Sequence, residues 1–179
     1  MTEQSLPIMA IFRDCIIALF IGGVVPFIAG TFFMVPAGSV LGLVFATLFL
    51  EYGAVFIGAA LDMDSAVIFI IVSMVAMGVI FIQLSLFDHV GKSSPRVAQF
   101  LERTRGNYGS SPVVKKYGVL ALVPGILVVG FYVCPAVAWL LGWDRKTTFI
   151  VMTGTFCAAS ALLLPVSEGL IRWISGVVG

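Results

Sequence analysis

Apolar residues run along this chain in long blocks rather than in alternation. Five blocks stand out, at residues 15–35, 37–61, 65–86, 117–143 and 147–165. A half-buried strand alternates apolar and polar positions, and a surface helix returns to its apolar face every three or four residues. Uninterrupted blocks of this length describe helices with apolar surroundings on every side. About 20 residues of helix cover the hydrocarbon core of a bilayer, so blocks 15–35, 65–86 and 147–165 each fit one crossing. The other two are longer and broken inside: 37–61 by Glu51-Tyr52-Gly53, and 117–143 by Pro124-Gly125, Gly130 and Cys134-Pro135. Helix breaks at membrane depth are tolerated where the freed backbone groups face protein or water. Two interrupted segments in corresponding places point to re-entrant hairpins in an inverted repeat.

The basic residues separate two topologies. Lys92, Arg96, Arg103, Arg105, Lys115 and Lys116 place the stretch between the third and fourth blocks in the cytoplasm. If all five blocks cross, Arg13, Arg145 and Lys146 fall outside. If the two broken blocks enter and leave on one side, only Arg172 does. The sequence therefore predicts an all-α polytopic membrane protein with three spanning helices and two broken, re-entrant helical hairpins in an inverted repeat, its N-terminus cytoplasmic. Residues 1–179 form one membrane domain: a first crossing at 15–35, repeat unit one at 37–86, a cytoplasmic basic connector at 87–116 and repeat unit two at 117–168. Tyr52-Gly53 and Tyr117-Gly118, and Asp62-x-Asp64 and Asp144-Arg145, are the local echoes between the units. Within the connector, 94–105 reads as a short amphipathic interfacial helix. Ser93 or Ser94 caps it, Pro95 suits its first turn, and Val97, Phe100 and Leu101 share a face. Its basic face suits anionic lipid on the cytoplasmic side.

Composition agrees with a bilayer setting. The chain is 60% hydrophobic and 11% charged, where soluble domains carry about 25% charged residues; mean hydropathy is +1.14. A net charge of +1 gives no footing for nucleic acid. Block 15–35 is too long for the apolar region of a cleavable signal peptide. Three scattered cysteines and the lone His89 argue against a metal centre, haem or iron–sulfur cofactor. No H-E-x-x-H, G-x-S-x-G or P-loop occurs, so no enzyme is expected.

Glu51 is the candidate for ion coupling or transport. It is the only charge in 37–61, and a carboxylate at membrane depth costs roughly 2.5–3.5 kcal/mol on insertion scales, which is why such residues line pathways or bind ions. Gly53, Pro124, Gly125, Gly130 and Pro135 are candidates for hairpin breaks that expose backbone to a path. Asp144, Arg145 and Lys146 read as a cytoplasmic gate of exchanging ion pairs or an interfacial anchor. Arg13 and Asp14, adjacent and so on different helix faces, read as another anchor. Glu168 and Arg172 fit a local pair at i and i+4. Gly22, Gly23, Gly38, Gly42 and Gly58 suit close helix contacts, with Gly38-x-x-x-Gly42 as a packing motif.

Lys116-Tyr117-Gly118, Pro124-Gly125 and Leu140-Leu141-Gly142-x-Asp144-Arg145-Lys146 resemble the small multidrug export protein family, which is itself similar to the DedA-like membrane proteins. The resemblance reaches back more loosely to about Leu48. It implies two re-entrant hairpins in inverted repeats, proton-coupled handling of lipids or small molecules through an acidic residue in the first hairpin, and a prokaryotic plasma membrane. The chain departs from the family after Glu51, where Tyr52-Gly53-Ala54-Val55 stand in place of an arginine and a proline. The expectation is a small transporter, or a protein handling lipid or small molecules, coupled to protons through Glu51. Its partners would be the bilayer, an unknown small molecule or lipid, and further copies of itself. The alternative is a non-catalytic accessory subunit of a larger membrane complex.

Overall fold

The computed structural model describes residues 5–93 and 116–178, and every regular element among them is helical. The interfacial helix expected at 94–105 lies outside the described residues. The first helical run begins earlier than its apolar block: α1 (Ser5–Leu19) passes through a π turn (Phe20–Val24) into α2 (Val25–Phe32). The π turn has a local cause. Pro26 has no N–H to bond the carbonyl one α-turn behind it, and the Val25 N–H bonds instead to the Phe20 carbonyl, one residue farther back than in an α-helix.

The first broken block consists of α3 (Ala37–Leu50), a 3-10 turn (Glu51–Gly53) and α4 (Ala54–Ala60). The long helix α5 (Ser65–Ser93) follows. The second broken block holds a 3-10 turn (Gly118–Ala121), α6 (Leu122–Val129) and α7 (Cys134–Leu141), followed by the long helix α8 (Arg145–Val178). Four stretches are long and apolar enough to cross a bilayer, Met9–Phe32, Ala37–Ala60, Ser65–Val90 and Arg145–Ile174; Gly118–Val129 is apolar but shorter. The chain is thus an integral membrane protein by its helices. Its outward faces agree: Phe49 is 80% exposed and Val128 84%, apolar surface that suits lipid and not water.

Packing divides the chain into two compact units. One takes Met1–Ala18 and Val79–Thr155, and the other takes Leu19–Gly78 and Phe156–Gly179. In the first, Ile80, Leu122, Ile126, Phe131 and Met152 are buried, and α6 packs on α7. In the second, Val40, Leu43, Val55, Ile68, Ile71 and Phe156 are buried, and α3 packs on α4. Each broken block thus has its two helices in contact across the break.

Three connectors share one backbone solution. α2 ends with Met34 at φ 57°, α4 with Asp62 at φ 55° and α7 with Gly142 at φ 72°. In each, two N–H groups turn back onto the preceding helix. Val35 donates to the Gly30 carbonyl at 2.8 Å, Met63 to Gly58 at 3.2 Å and Trp143 to Ala138 at 3.1 Å. These are Schellman caps, which satisfy carbonyls that a helix end leaves open. Each left-handed residue is followed by one spacer and then the residue that starts the next helix: Pro36, Asp64 or Asp144. Asp64 Oδ1 accepts the Ala66 N–H at 2.8 Å, and Asp144 Oδ2 accepts the Thr147 N–H at 2.9 Å, so both long helices begin on an aspartate cap.

The small residues divide by environment. A Cβ at Gly58 would lie 2.7 Å from Ile68 Cγ1, and one at Gly30 would lie 2.4 Å from Val40 Cγ2. At Gly22 the nearest atoms, on Gly78 and Val75, would be 3.5 Å away. Gly38 and Gly42 have nothing within 4 Å, so the expected Gly38-x-x-x-Gly42 packing motif faces open space. Close contact in a bilayer rests on van der Waals fit because lipid is as apolar as the protein. Gly58→Ala should therefore destabilise by about 1–3 kcal/mol through overpacking, whereas Gly42→Ala should be neutral or stabilise by about 0.4–1 kcal/mol. Unfolding of the two variants in one detergent, compared with the parent, checks the contrast.

Candidate functional site

Glu51 occupies a distinctive backbone position. It ends α3 with φ 50° and ψ −111°, a region that residues with a Cβ avoid. One turn earlier, buried Thr47 bonds its hydroxyl to the Leu43 carbonyl at 2.8 Å and its carbonyl to the Glu51 N–H. On the other side Tyr52 stacks on Phe156 with ring centroids 4.7 Å apart, and Ala54 and Val55 are fully buried. Buried neighbours on both sides hold the half-buried Glu51 at the break. Gly53 lies in the same turn, where an added Cβ would stand 3.0 Å from Leu50 Cβ.

The second break centres on Gly130, at φ 85° and ψ −176°. This conformation is open to glycine alone. Pro124 is the third residue of α6, and buried Pro135 sits in the first turn of α7, where a missing N–H costs nothing. Gly125 faces the other limb, with Cys134 Sγ 3.4 Å from where its Cβ would be. Tyr117-Gly118 opens this block, with Gly118 at φ 52° at the start of the 3-10 turn.

The densest polar cluster was not visible as such in the sequence. Asp14 is 3% exposed. Its Oδ1 accepts Arg13 Nε at 3.2 Å and Nη2 at 3.1 Å, and its Oδ2 accepts the Ser85 hydroxyl. Arg145 Nη2 stands 3.6 Å from the same Oδ2, and Arg145 Nη1 stands 3.7 Å from Asp88 Oδ2. The Arg145 guanidinium lies 5.0 Å over the Phe81 ring, and Phe81 meets Phe149 edge-on at 6.2 Å. Helical spacing explains the convergence: Phe81, Ser85 and Asp88 share one face of α5, and Arg145 and Phe149 share one face of α8. Arg13, Asp14, Ile17, Phe81, Arg145, Lys146 and Phe149 line a cavity of 390 Å³.

Asp14 is therefore no exposed anchor but the buried centre of an ion-pair network, with Arg13 as its outward, exposed partner. The apolar block starts at residue 15 and so put Asp14 at the edge of the membrane segment, whereas α1 starts at Ser5. Of the gate candidates, Arg145 and Lys146 come together at this cavity. Asp144 stays at the surface as the cap of α8, where the Thr147 N–H and hydroxyl hold its carboxyl below the usual carboxylate range. A carboxyl with a lowered folded-state pKa stabilises above its ordinary range and loses that contribution as pH falls through the lowered value. In the other unit, Glu168 pairs with Arg172 at 3.8 Å as its spacing suggested, and it also accepts the Ser65 hydroxyl. Among the described residues no three His, Cys, Asp or Glu side chains converge on a metal-sized site. No family model matches the chain, and no curated protein or solved structure matches it significantly.

Two outcomes follow. A double-mutant cycle of Asp14→Asn and Arg145→Gln should show coupling of about 0.5–3 kcal/mol; additive losses in unfolding free energy would mean that the pair is incidental. Asp144→Ala should lower the unfolding temperature at pH 7, and the gap to the parent should close as pH falls below the carboxylate range.

Proposed function

We propose that this chain is a small membrane transporter, or a protein handling lipid or small molecules, of DedA-like type, with Glu51 carrying the coupling proton. The observation that carries the reading is Glu51 itself. The only carboxylate of its apolar block sits on a backbone conformation worth about 1–3 kcal/mol of strain. Intramembrane charge and backbone strain both concentrate at functional sites, and a helix that merely packed against lipid would need neither.

The two broken blocks are, in this reading, re-entrant hairpins of an inverted repeat. Their support is the recurring order of local geometry: a positive-φ break at Glu51 or Gly130, a short helix, a Schellman cap at Asp62 or Gly142, an aspartate at the next helix start, then a long helix. The residues of each broken block belong to one compact unit, while α5 and α8 each contribute to both. Arg145, between Asp14 and Asp88, is the moving member of a cytoplasmic gate, and Lys146 shares its cavity. The plasma membrane and a cytoplasmic N-terminus complete the proposal.

Topology and coupling are separately testable. With Cys15, Cys134 and Cys157 removed, single cysteines at Ser5, Ala66 and Lys146 should be labelled from outside the cell at Ala66 alone; outside labelling at Lys146 would show that the second broken block crosses. In proteoliposomes under a pH gradient, Glu51→Gln and Glu51→Gly should both lose proton flux by about tenfold or more, the general acid–base range, and Glu51→Asp should keep part of it. Because glycine suits the φ at this position, the Gly variant separates loss of the carboxyl from loss of the turn. Parental flux in both would remove Glu51 from the coupling step.

A further inference from the structure

We propose that the cavity beside Arg145 binds a small lipophilic anion, a carboxylate, sulfonate or phosphate head on a compact apolar body. The walls are Ile17, Phe81 and Phe149, and the polar groups are Arg13, Arg145, Lys146 and Asp14. Three cations against one carboxylate leave the lining positive, which disfavours a cationic ligand. The volume of 390 Å³ is that of a small-molecule pocket and holds a head with a ring or short chain.

The polar groups also have capacity to spare on the right member. Asp14 is occupied, by Arg13 on one oxygen and Ser85 on the other. Arg145 is not closed on either of its carboxylates, since 3.6 and 3.7 Å exceed the ~2.7–2.9 Å of a charge-assisted hydrogen bond. Its planar fork suits a two-oxygen head group, and the Phe81 ring beneath it keeps it at the cavity. Lys146 adds a second charge, and the start of the 34-residue α8 adds the positive end of a helix dipole. The apolar body would lie on Ile17 and Phe149. In binding, the head group would take Arg145 from Asp14 and Asp88, which links occupancy to the ion pairs. That link to a gate rests on the transport reading; the binding does not.

The probe is 4-(trifluoromethyl)benzoate, followed by fluorine NMR titration of the full chain in phosphatidylcholine nanodiscs. Saturable binding should appear, with the neutral 4-(trifluoromethyl)benzyl alcohol weaker by about tenfold, the equivalent of one good ionic contact. Arg145→Gln should weaken the benzoate by a similar factor. Lys146→Gln should weaken it several-fold and covers the case in which the Arg145 variant does not fold, as judged by a single size-exclusion peak. Adding phosphatidylglycerol to the nanodiscs distinguishes the natural source. Competition assigns the site to a lipid head group and no competition to a soluble lipophilic acid; either supports the anion site. No saturable binding, equal binding of the alcohol, or parental affinity in the folded variants overturns it. None of these readouts requires transport, so a failed flux assay and a failed titration remain separate results.

Discussion

A helix end leaves carbonyls with no partner inside the helix, and among the described residues this chain answers that constraint the same way three times. At Met34, Asp62 and Gly142 the backbone turns left-handed for one residue and sends two N–H groups back onto the helix it has just left. Only then does the next helix start, two residues on. Without these caps the ends of α2, α4 and α7 would each leave carbonyls with no partner in the protein. The close approaches at Gly30 and Gly58 depend on them, because both residues supply the carbonyls that receive the long return bonds. One residue type thus serves twice, as the contact point and as the acceptor.

The polar interior follows from a different economy. Asp14 is tolerable where it is because Arg13 and Ser85 donate to it and a third group, Arg145, is ion-paired with it and shared. A charge shared between two carboxylates at similar, long distances has no single preferred partner. Such an arrangement can be redistributed by a modest change nearby, with Arg145 as the member shared by both carboxylates. Glu51 differs in kind, since the tension there lies in its backbone.

The fold was legible in outline. Block length and charge gave helices of membrane-spanning length, and the breaks expected at Glu51 and Gly130 are where α3 and α6 stop, whereas Pro124-Gly125 lies inside α6 and Pro135 inside α7. Legibility failed where periodicity carries no depth. Asp14 looked peripheral because hydropathy starts the block at residue 15, although helix formation needs no apolar run and α1 begins ten residues upstream, at Ser5. Ser85 and Asp88 gave no signal alone; they matter only because i, i+4 and i+7 align them with Phe81 beneath a cation from a distant part of the sequence. The reverse held for Gly38-x-x-x-Gly42, a recognisable pattern whose face meets nothing. A motif specifies that two backbones are able to approach, and only the rest of the fold decides whether one arrives.

The aspartate caps also act as rulers. From Asp64 to Asp88 the chain carries no charge, and from Lys146 to Glu168 it carries none either. At 1.5 Å per residue these stretches rise about 36 and 33 Å, both a little more than the ~30 Å hydrocarbon core. Each long helix must then lean, or sit in a thicker bilayer, to keep its two polar ends wet. Because the two lengths agree so closely, a membrane thickness that suits α5 also suits α8, and hydrophobic mismatch acts on both in the same direction.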